Sequence, residues 1–346
     1  MKTSTIIFRG KILPISFRFQ RHFVFVLLTL SLITLTIIVI NASWGEYPIP
    51  PLAVVQTIFG IETGNSDYAF VIKTLRLPRS LTAALVGIAL GISGTILQGI
   101  TRNALAAPGI IGVNAGASLA AVSLIVVFPD IPVGILPLAA GGGALLTSVL
   151  IYFLAWEKGT HPVRLILVGV GIAAVVNAMT NLIVTFGEIN NVSQALVWLA
   201  GSVYGCSWEQ VFYLSLWLLV FIPLALFKAP QLNTLNLGEE IAKGLGTKVE
   251  LEFSLLLLIS AALAGAAVAT AGSIGFVGLI APHLARQLVG NLHESLIPIA
   301  AMIGATIVVM ADFLGRILFA PIELPCGIIT ALIGTPYFVY LLVKNT

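Results

Sequence analysis

The chain has 346 residues, 58% hydrophobic and 9% charged, with a formal net charge of +3 and a mean hydropathy of +1.07. A soluble domain carries roughly 25% charged residues, and no globular fold of this length hides so much apolar surface. Composition therefore excludes a soluble enzyme or binding module and points to a polytopic membrane protein, built of helices because the apolar blocks are helical in length and lack the about ten-residue alternation of a barrel.

Residues 1–22 carry Lys2, Arg9, Lys11, Arg18 and Arg21 and no acid, and an apolar run follows from Phe23 to about Ile40. The pattern imitates a signal peptide, but the run is long enough to span and more spans follow. It reads as a retained first helix behind a cytoplasmic segment 1–22, with residues 23–346 forming one transmembrane domain. Residues 43–75, with Pro48, Pro50, Pro51, Glu46, Glu62 and Asp67, form a polar outer segment with room for a short interfacial helix. The next spans are expected at about 78–98, 109–127, 133–156, 164–186, 209–227, 251–270, 275–290, 297–313 and 326–343. That makes ten helices with both termini inside.

The cations test this topology. Lys2, Arg9, Lys11, Arg18, Arg21, Arg102, Lys158, Arg164, Lys228, Lys243, Lys248, Arg286 and Lys344 fall inside, 13 of the 17 Lys and Arg, as the positive-inside rule requires. The exceptions are Lys73, Arg76 and Arg79 before the second helix and Arg316 after the ninth. Guanidinium suits forked carboxylate pairing, so these arginines read as anchors for acidic groups of an outside partner. The simpler reading is snorkelling, or Arg316 paired with Asp312 one turn back.

Gly87, Gly91 and Gly94 line one face of the second helix, and Gly109, Gly112 and Gly116 one face of the third, as packing devices. Asn103 and Pro108 mark a tight inner turn between them. Gln98, Asn177, Asn181 and Thr185 are the few polar residues within spans; they line a pathway or bond neighbouring helices. The stretch 228–252 is the polar interruption, with seven of the chain's 31 charged residues. Asn236 with Glu239 has the form of a capping box, and so has Thr247 with Glu250. Leu237, Ile241 and Leu245 make one apolar stripe on a short helix, with Glu239, Glu240 and Lys243 off it. Gly244 and Gly246 supply a stop. Such a helix between two spans is either a handle for another protein or an ordinary solvated loop. Cys206 and Cys326 have no metal-ligand spacing; near outer helix ends, they fit a disulfide or two inert thiols.

Several signatures are missing. No span has a carboxylate near its middle, which argues against a proton-driven carrier. No GxxxxGK[ST], HExxH or GxSxG occurs, and His22, His161, His283 and His293 are scattered, so neither ATP hydrolysis nor intramembrane catalysis has a visible set.

Four stretches resemble the permease subunits of bacterial iron-chelate and cobalamin ABC importers, the FecCD-type or type II importers. They are LRLPRSLTAALVGIALGISGTILQGITRNALAAPGIIGVNAGA at 75–117, LNLGEEIAKGLG at 235–246, GSIGFVGLIAPHLARQLVG at 272–290 and DFLGRILFAPIELPCGIITALIGTPYFVYLLVK at 312–344. The resemblance implies an all-α, ten-helix subunit of the bacterial inner membrane, pairing with a second copy or a homologous permease around a central pathway. A cytoplasmic ABC ATPase dimer would carry ATP and magnesium, this chain binding no cofactor and no nucleic acid, and an extracytoplasmic substrate-binding protein would deliver the cargo. It assigns ATPase coupling to Leu237, Gly238, Glu239, Glu240, Ala242, Leu245 and Gly246, and binding-protein docking to Arg76, Arg79 and Arg316. Asn103 and Leu105 fall at the family's cytoplasmic gate, where RNALAAP departs from the common RNPLA-x-P at Ala104; Asn177 and Asn181 are candidates for the pathway wall. The second constriction of relatives, near Pro162 and Val163, lacks the small hydroxyl residues of the cobalamin permease, which counts against cobalamin. The function so implied is ATP-driven import of a metal chelate, a ferric siderophore first. Haem or cobalamin import by the same machinery and an ion-gradient-driven carrier are the alternatives.

Overall fold

The apolar run from Phe23 becomes α1 (Arg21–Ser43) in the computed structural model, which describes residues 5–9, 16–156 and 162–344. Lys2, Lys11, Lys158 and His161 lie outside the described residues. Ahead of α1 stands a departure from the all-helical expectation among the described residues, an antiparallel pair of β1 (Thr5–Arg9) and β2 (Ser16–Gln20) with Thr5 opposite Gln20.

The 43–75 segment supplies the expected short helix, α2 (Pro51–Ile58), opened by a proline whose fixed φ suits the first turn. It then rejoins the bundle through α3 (Ser66–Phe70). A π-turn at Val71–Arg76 links α3 to α4 (Leu77–Thr101), so the second span is one 35-residue rod, Asp67–Thr101, longer than the sequence pattern suggests. A 3-10 turn (Pro108–Ile111) leads into α5 (Val113–Val122), followed by α6 (Leu136–Ala155), α7 (Pro162–Phe186) and α8 (Ile189–Leu199). Next come α9 (Trp208–Phe227), α10 (Ala229–Asn236), α11 (Glu239–Gly244) and α12 (Val249–Ala271). The chain closes with α13 (Val277–Val289), α14 (His293–Ile317) and α15 (Cys326–Lys344).

Each of the ten expected spans coincides with a helix. Seven helices among the described residues are long and apolar enough to cross a membrane, and two shorter apolar ones occupy Val113–Val127 and Cys326–Leu341. The tenth, α13, has 13 residues, a length of roughly 20 Å at the α-helical rise. It reaches only part way through a hydrocarbon core of about 30 Å.

α4 is the axis of the bundle. Its most apolar stretch is 83% buried, against 11% for α7 and 17% for α9. Small residues permit this. A Cβ added at Gly87 would stand 2.2 Å from the Gly304 carbonyl oxygen, at Gly91 2.4 Å from that of Ala300, and at Gly94 1.8 Å from that of Gly278. The backbones of α14 and α13 therefore rest directly on α4, as the glycine spacing anticipates. In the third span the reading needs correction. Gly116 does face Gly143 of α6, but Gly109 and Gly112 belong to the preceding 3-10 turn, which ends at Gly112 in the left-handed conformation (φ +76°). Ser93 and Ser260 exchange hydrogen bonds of 2.8–3.0 Å where α4 meets α12.

Candidate functional site

At one end of the bundle the three predicted arginines converge on Asp312, Glu323 and the last turn of α1. Arg79 grips Asp312 with Nε (2.9 Å) and Nη2 (2.8 Å), reaches Glu323 with Nη1 (2.7 Å), and lies 5.5 Å from the centre of the Tyr204 ring. Asn41 donates to the other Asp312 oxygen at 3.1 Å. Arg316 does not pair with the carboxylate one turn back on its own helix. Asp312 is occupied by Arg79, and Arg316 Nη2 instead donates to the backbone and side-chain oxygens of Asn41, leaving its Nε buried without a partner. Arg76 donates to the backbone carbonyls of Ala42, Ser43 and Tyr47 at 2.7–3.3 Å.

The three arginines are thus buried, 8–9% exposed as whole residues, rather than displayed on the surface. Three positive charges against two negative leave the corner with a surplus of one, carried by Arg76 and Arg316, whose acceptors are uncharged. Both lean over Gly45, where a Cβ would stand 2.7 Å from Arg76 Nη2. Asn41, Tyr204 and the Gly45 gap had no signal in the sequence, because their roles depend on partners far away in the chain.

Cys206 and Cys326 border the same corner as free thiols. Burial pushes the Cys206 thiol up to about 11, and Cys326, 1% exposed, packs near the Gly201 carbonyl.

The opposite end carries α11. The expected capping boxes are absent. Asn236 closes α10, and Gly238 caps α11 without a side-chain hydrogen bond, at φ +114°. With only two residues between helices the chain must turn sharply, and that turn needs a backbone conformation glycine alone adopts readily. Nor does Thr247 cap α12, which follows Lys248. Its N–H closes α11 by bonding the Ala242 carbonyl (3.0 Å), while Gly246, at φ +82°, bonds that of Lys243 (2.9 Å), the paired pattern of a Schellman stop.

The three apolar residues of the expected stripe do not share one helix, because Gly238 breaks the helical run: Leu237 ends α10, only Ile241 lies within α11, and Leu245 caps its end. Leu237, Ile241 and Leu245 are 60%, 55% and 65% exposed, whereas Ala242 is fully buried and anchors the helix. Glu239 and Lys243 pair along the helix at 2.9 Å, and Glu240 is exposed. Two connections tie together the elements that flank this short helix. Lys228 and Glu252 bridge the feet of α9 and α12 at 2.7 Å. Asn233 of α10 receives the backbone N–H (2.9 Å) and ring Nδ1 (2.7 Å) of His293, and gives its own amide to Glu294 (2.8 Å). Sequence reasoning missed this clamp, since its members are about sixty residues apart.

The 102–105 turn sits beside α11. Arg102 is left-handed (φ 50°), Asn103 accepts the Leu105 N–H at 2.9 Å, and Leu105 is 38% exposed. A Cβ at Gly238 would stand 3.5 Å from Arg102 Nη1, so the turn and the start of α11 adjoin. Of the polar span residues, Gln98 is buried and donates to the Leu279 carbonyl (3.4 Å), a helix-to-helix bond. Asn177 and Asn181 are exposed on α7, Thr185 bonds the Asn181 carbonyl, and Val163 is exposed at the start of that helix.

Residues 32–344 match the model of the FecCD transport family. The Fe(3+)-citrate import system permease protein of Bacillus subtilis is 42% identical over 327 residues, 94% of this chain and 96% of that protein. The iron(3+)-hydroxamate import system permease protein of the same organism is 41% identical over 320 residues, 90% and 95% of the two chains. Among solved structures, an inward-facing metal-chelate type ABC transporter superposes with a TM-score of 0.82 at 33% identity, covering 92% of this chain and 99% of the other.

Proposed function

The chain belongs to the FecCD transport family, and we propose that it is the permease subunit of an ATP-driven importer that carries a ferric chelate. The observation that carries this reading is the α11 end, a short helix whose flanking elements are tied by the Asn233–His293–Glu294 clamp and the Lys228–Glu252 bridge, and which together with its two ends presents three leucine-sized side chains to the outside. Exposed apolar side chains on such a mount suit docking into a groove of a partner. The partner proposed is a separate cytoplasmic ABC ATPase dimer holding ATP and magnesium, with Leu237, Gly238, Glu239, Glu240, Leu245 and Gly246 at the contact and Ala242 beneath it. The excess of Lys and Arg at this end supports a cytoplasmic orientation for it and for both termini.

At the other end an extracytoplasmic binding protein would dock over the arginine corner. Arg76 and Arg316, whose donors meet only neutral oxygens, have most to gain from an incoming carboxylate; Arg79 already holds two and serves mainly to position Asp312 and Glu323. The poorly buried α7, with Asn177 and Asn181, supports a pathway wall shared with a second permease copy, closed on the ATPase side by Asn103 and Leu105.

The cargo class follows from the two relatives named for ferric citrate and ferric hydroxamate. The test is reconstitution of the chain with its ATPase and binding protein in proteoliposomes and measurement of uptake of iron as citrate, as hydroxamate and as haem. ATP-dependent uptake of a ferric chelate is the expected result. Uptake driven by an ion gradient without ATP, or of haem alone, would overturn it.

A further inference from the structure

A cleft of about 190 Å³ opens at the α11 end, between the last turn of α4, the end of α10 and the junction of α13 with α14. Its walls include Gln98, Arg102, Asn103, Asn236, Arg286 and His293, and contain no Asp or Glu. Neither arginine forms an ion pair among the described residues. Two guanidiniums therefore face one small space with no carboxylate among the described residues lining it.

Two atoms of this wall are buried without any hydrogen bond, Nη1 of Arg286 and Oε1 of Gln98. The first can only donate and the second can only accept. Gln98 is 2% exposed, and its amide nitrogen is committed to the Leu279 carbonyl. His293 adds a second acceptor. Its Nδ1 faces the Asn233 oxygen and so carries the proton, which leaves Nε2 of the neutral ring bare, directed towards Gly99 on the cleft wall. A buried polar atom without a partner is costly, so the cleft calls for an occupant that accepts from arginine and donates to Gln98.

Few ligands do both. A carboxylate, a sulfate or a phosphodiester accepts only, and an ammonium donates only. Water does both but leaves the paired positive charges uncompensated. A phosphate group retaining one proton satisfies charge and hydrogen bonding together. We propose that this cleft binds a singly protonated phosphate group, as free inorganic phosphate or as the phosphomonoester head of a lipid, with its oxygens on Arg102 and Arg286 and its P–OH donating to Gln98. Because Arg102 adjoins Gly238, an occupant would bridge the 102–105 turn and the start of α11. The site is independent of the transport reading.

The test uses the full chain in detergent and in phosphatidylcholine nanodiscs. Inorganic phosphate and sulfate are titrated by calorimetry and by thermal shift, since a ligand of the native state raises the midpoint. Nanodiscs doped with phosphatidic acid or phosphatidylglycerol supply the lipid arm. Saturable binding of phosphate but not sulfate, weakened about tenfold or more by R102Q or R286Q, is the expected result for the free ion. Stabilisation by phosphatidic acid and not phosphatidylglycerol, lost in the same variants, assigns the lipid source. Arg102 is exposed, so R102Q should keep the unliganded midpoint of the wild type and report binding alone. A response to neither phosphate nor phosphatidic acid, equal binding of sulfate, or unchanged binding in both variants would overturn the proposal.

Discussion

Replacing Asp312 by leucine removes the one fully buried carboxylate of the arginine corner. Its side chain is 2% exposed and accepts two hydrogen bonds from Arg79 and one from Asn41. Without it Arg79 keeps only Glu323, which is 32% exposed, so water screens that pair and its worth falls to about 1 kcal/mol or less. An arginine side chain 10% exposed is then left nearly uncompensated, and breaking a buried pair from one side costs about 3–5 kcal/mol. Replacing both Arg79 and Asp312 by leucine removes the stranded charge as well. The double variant should therefore recover part of the loss, with a coupling energy of about 1–3 kcal/mol. Equilibrium unfolding in mixed detergent and SDS micelles, applied to the four members of the cycle, measures both quantities. A cost below about 1 kcal/mol for Asp312→Leu, or additive single effects, would refute the reasoning.

Serine at Leu237, Ile241 and Leu245 together should leave unfolding of the chain unchanged while weakening ATPase capture by a hundredfold or more, since burying what remains exposed of each is worth about 1–2 kcal/mol; quantitative co-purification reads the loss. Gly94→Val places a Cβ 1.8 Å from the Gly278 carbonyl and should cost at least the about 1–3 kcal/mol typical of overpacking, whereas Gly134→Ala, with nothing within 4 Å, should be silent in the same unfolding assay. Burial raises the Cys206 thiol from 9.0 to about 11, so at pH 8 its thiolate should be about a hundredfold scarcer than that of a free cysteine. Maleimide labelling followed by mass spectrometry should find it slow at pH 8 and faster as pH climbs toward 11; rapid labelling at pH 8 would contradict the burial.

The parts of this molecule that composition and spacing could reach are those governed by short-range rules. Hydropathy located every span, the glycine repeat of the second span located the face on which α4 packs, and the apolar character of Leu237, Ile241 and Leu245 was legible although the single helix their spacing implied is broken at Gly238. The Asn236 capping box failed because a local pattern competed with a tertiary demand. α10 already used Asn236, and the reversal into α11 fell to Gly238. The arginines were legible as exceptions to a charge rule, but not their burial, because Asp312, Asn41 and Glu323 come from the two ends of the chain. The Asn233 clamp was invisible for the same reason.

The contact of Asn41 with Asp312 joins residues 271 positions apart, and α1 lies along α14. During synthesis at about 5–20 residues per second, roughly 15 to 50 s pass between the emergence of the first partner and the second. Through that interval the first helix lacks its main packing partner, α14, and has only earlier elements such as those that Arg76 and α4 bring to it. It is the most apolar of the seven long helices, and 28% of its most apolar stretch is buried by the rest of the fold. A span this apolar is suited to hold its place in the lipid with little protein around it until the ninth span arrives to staple it.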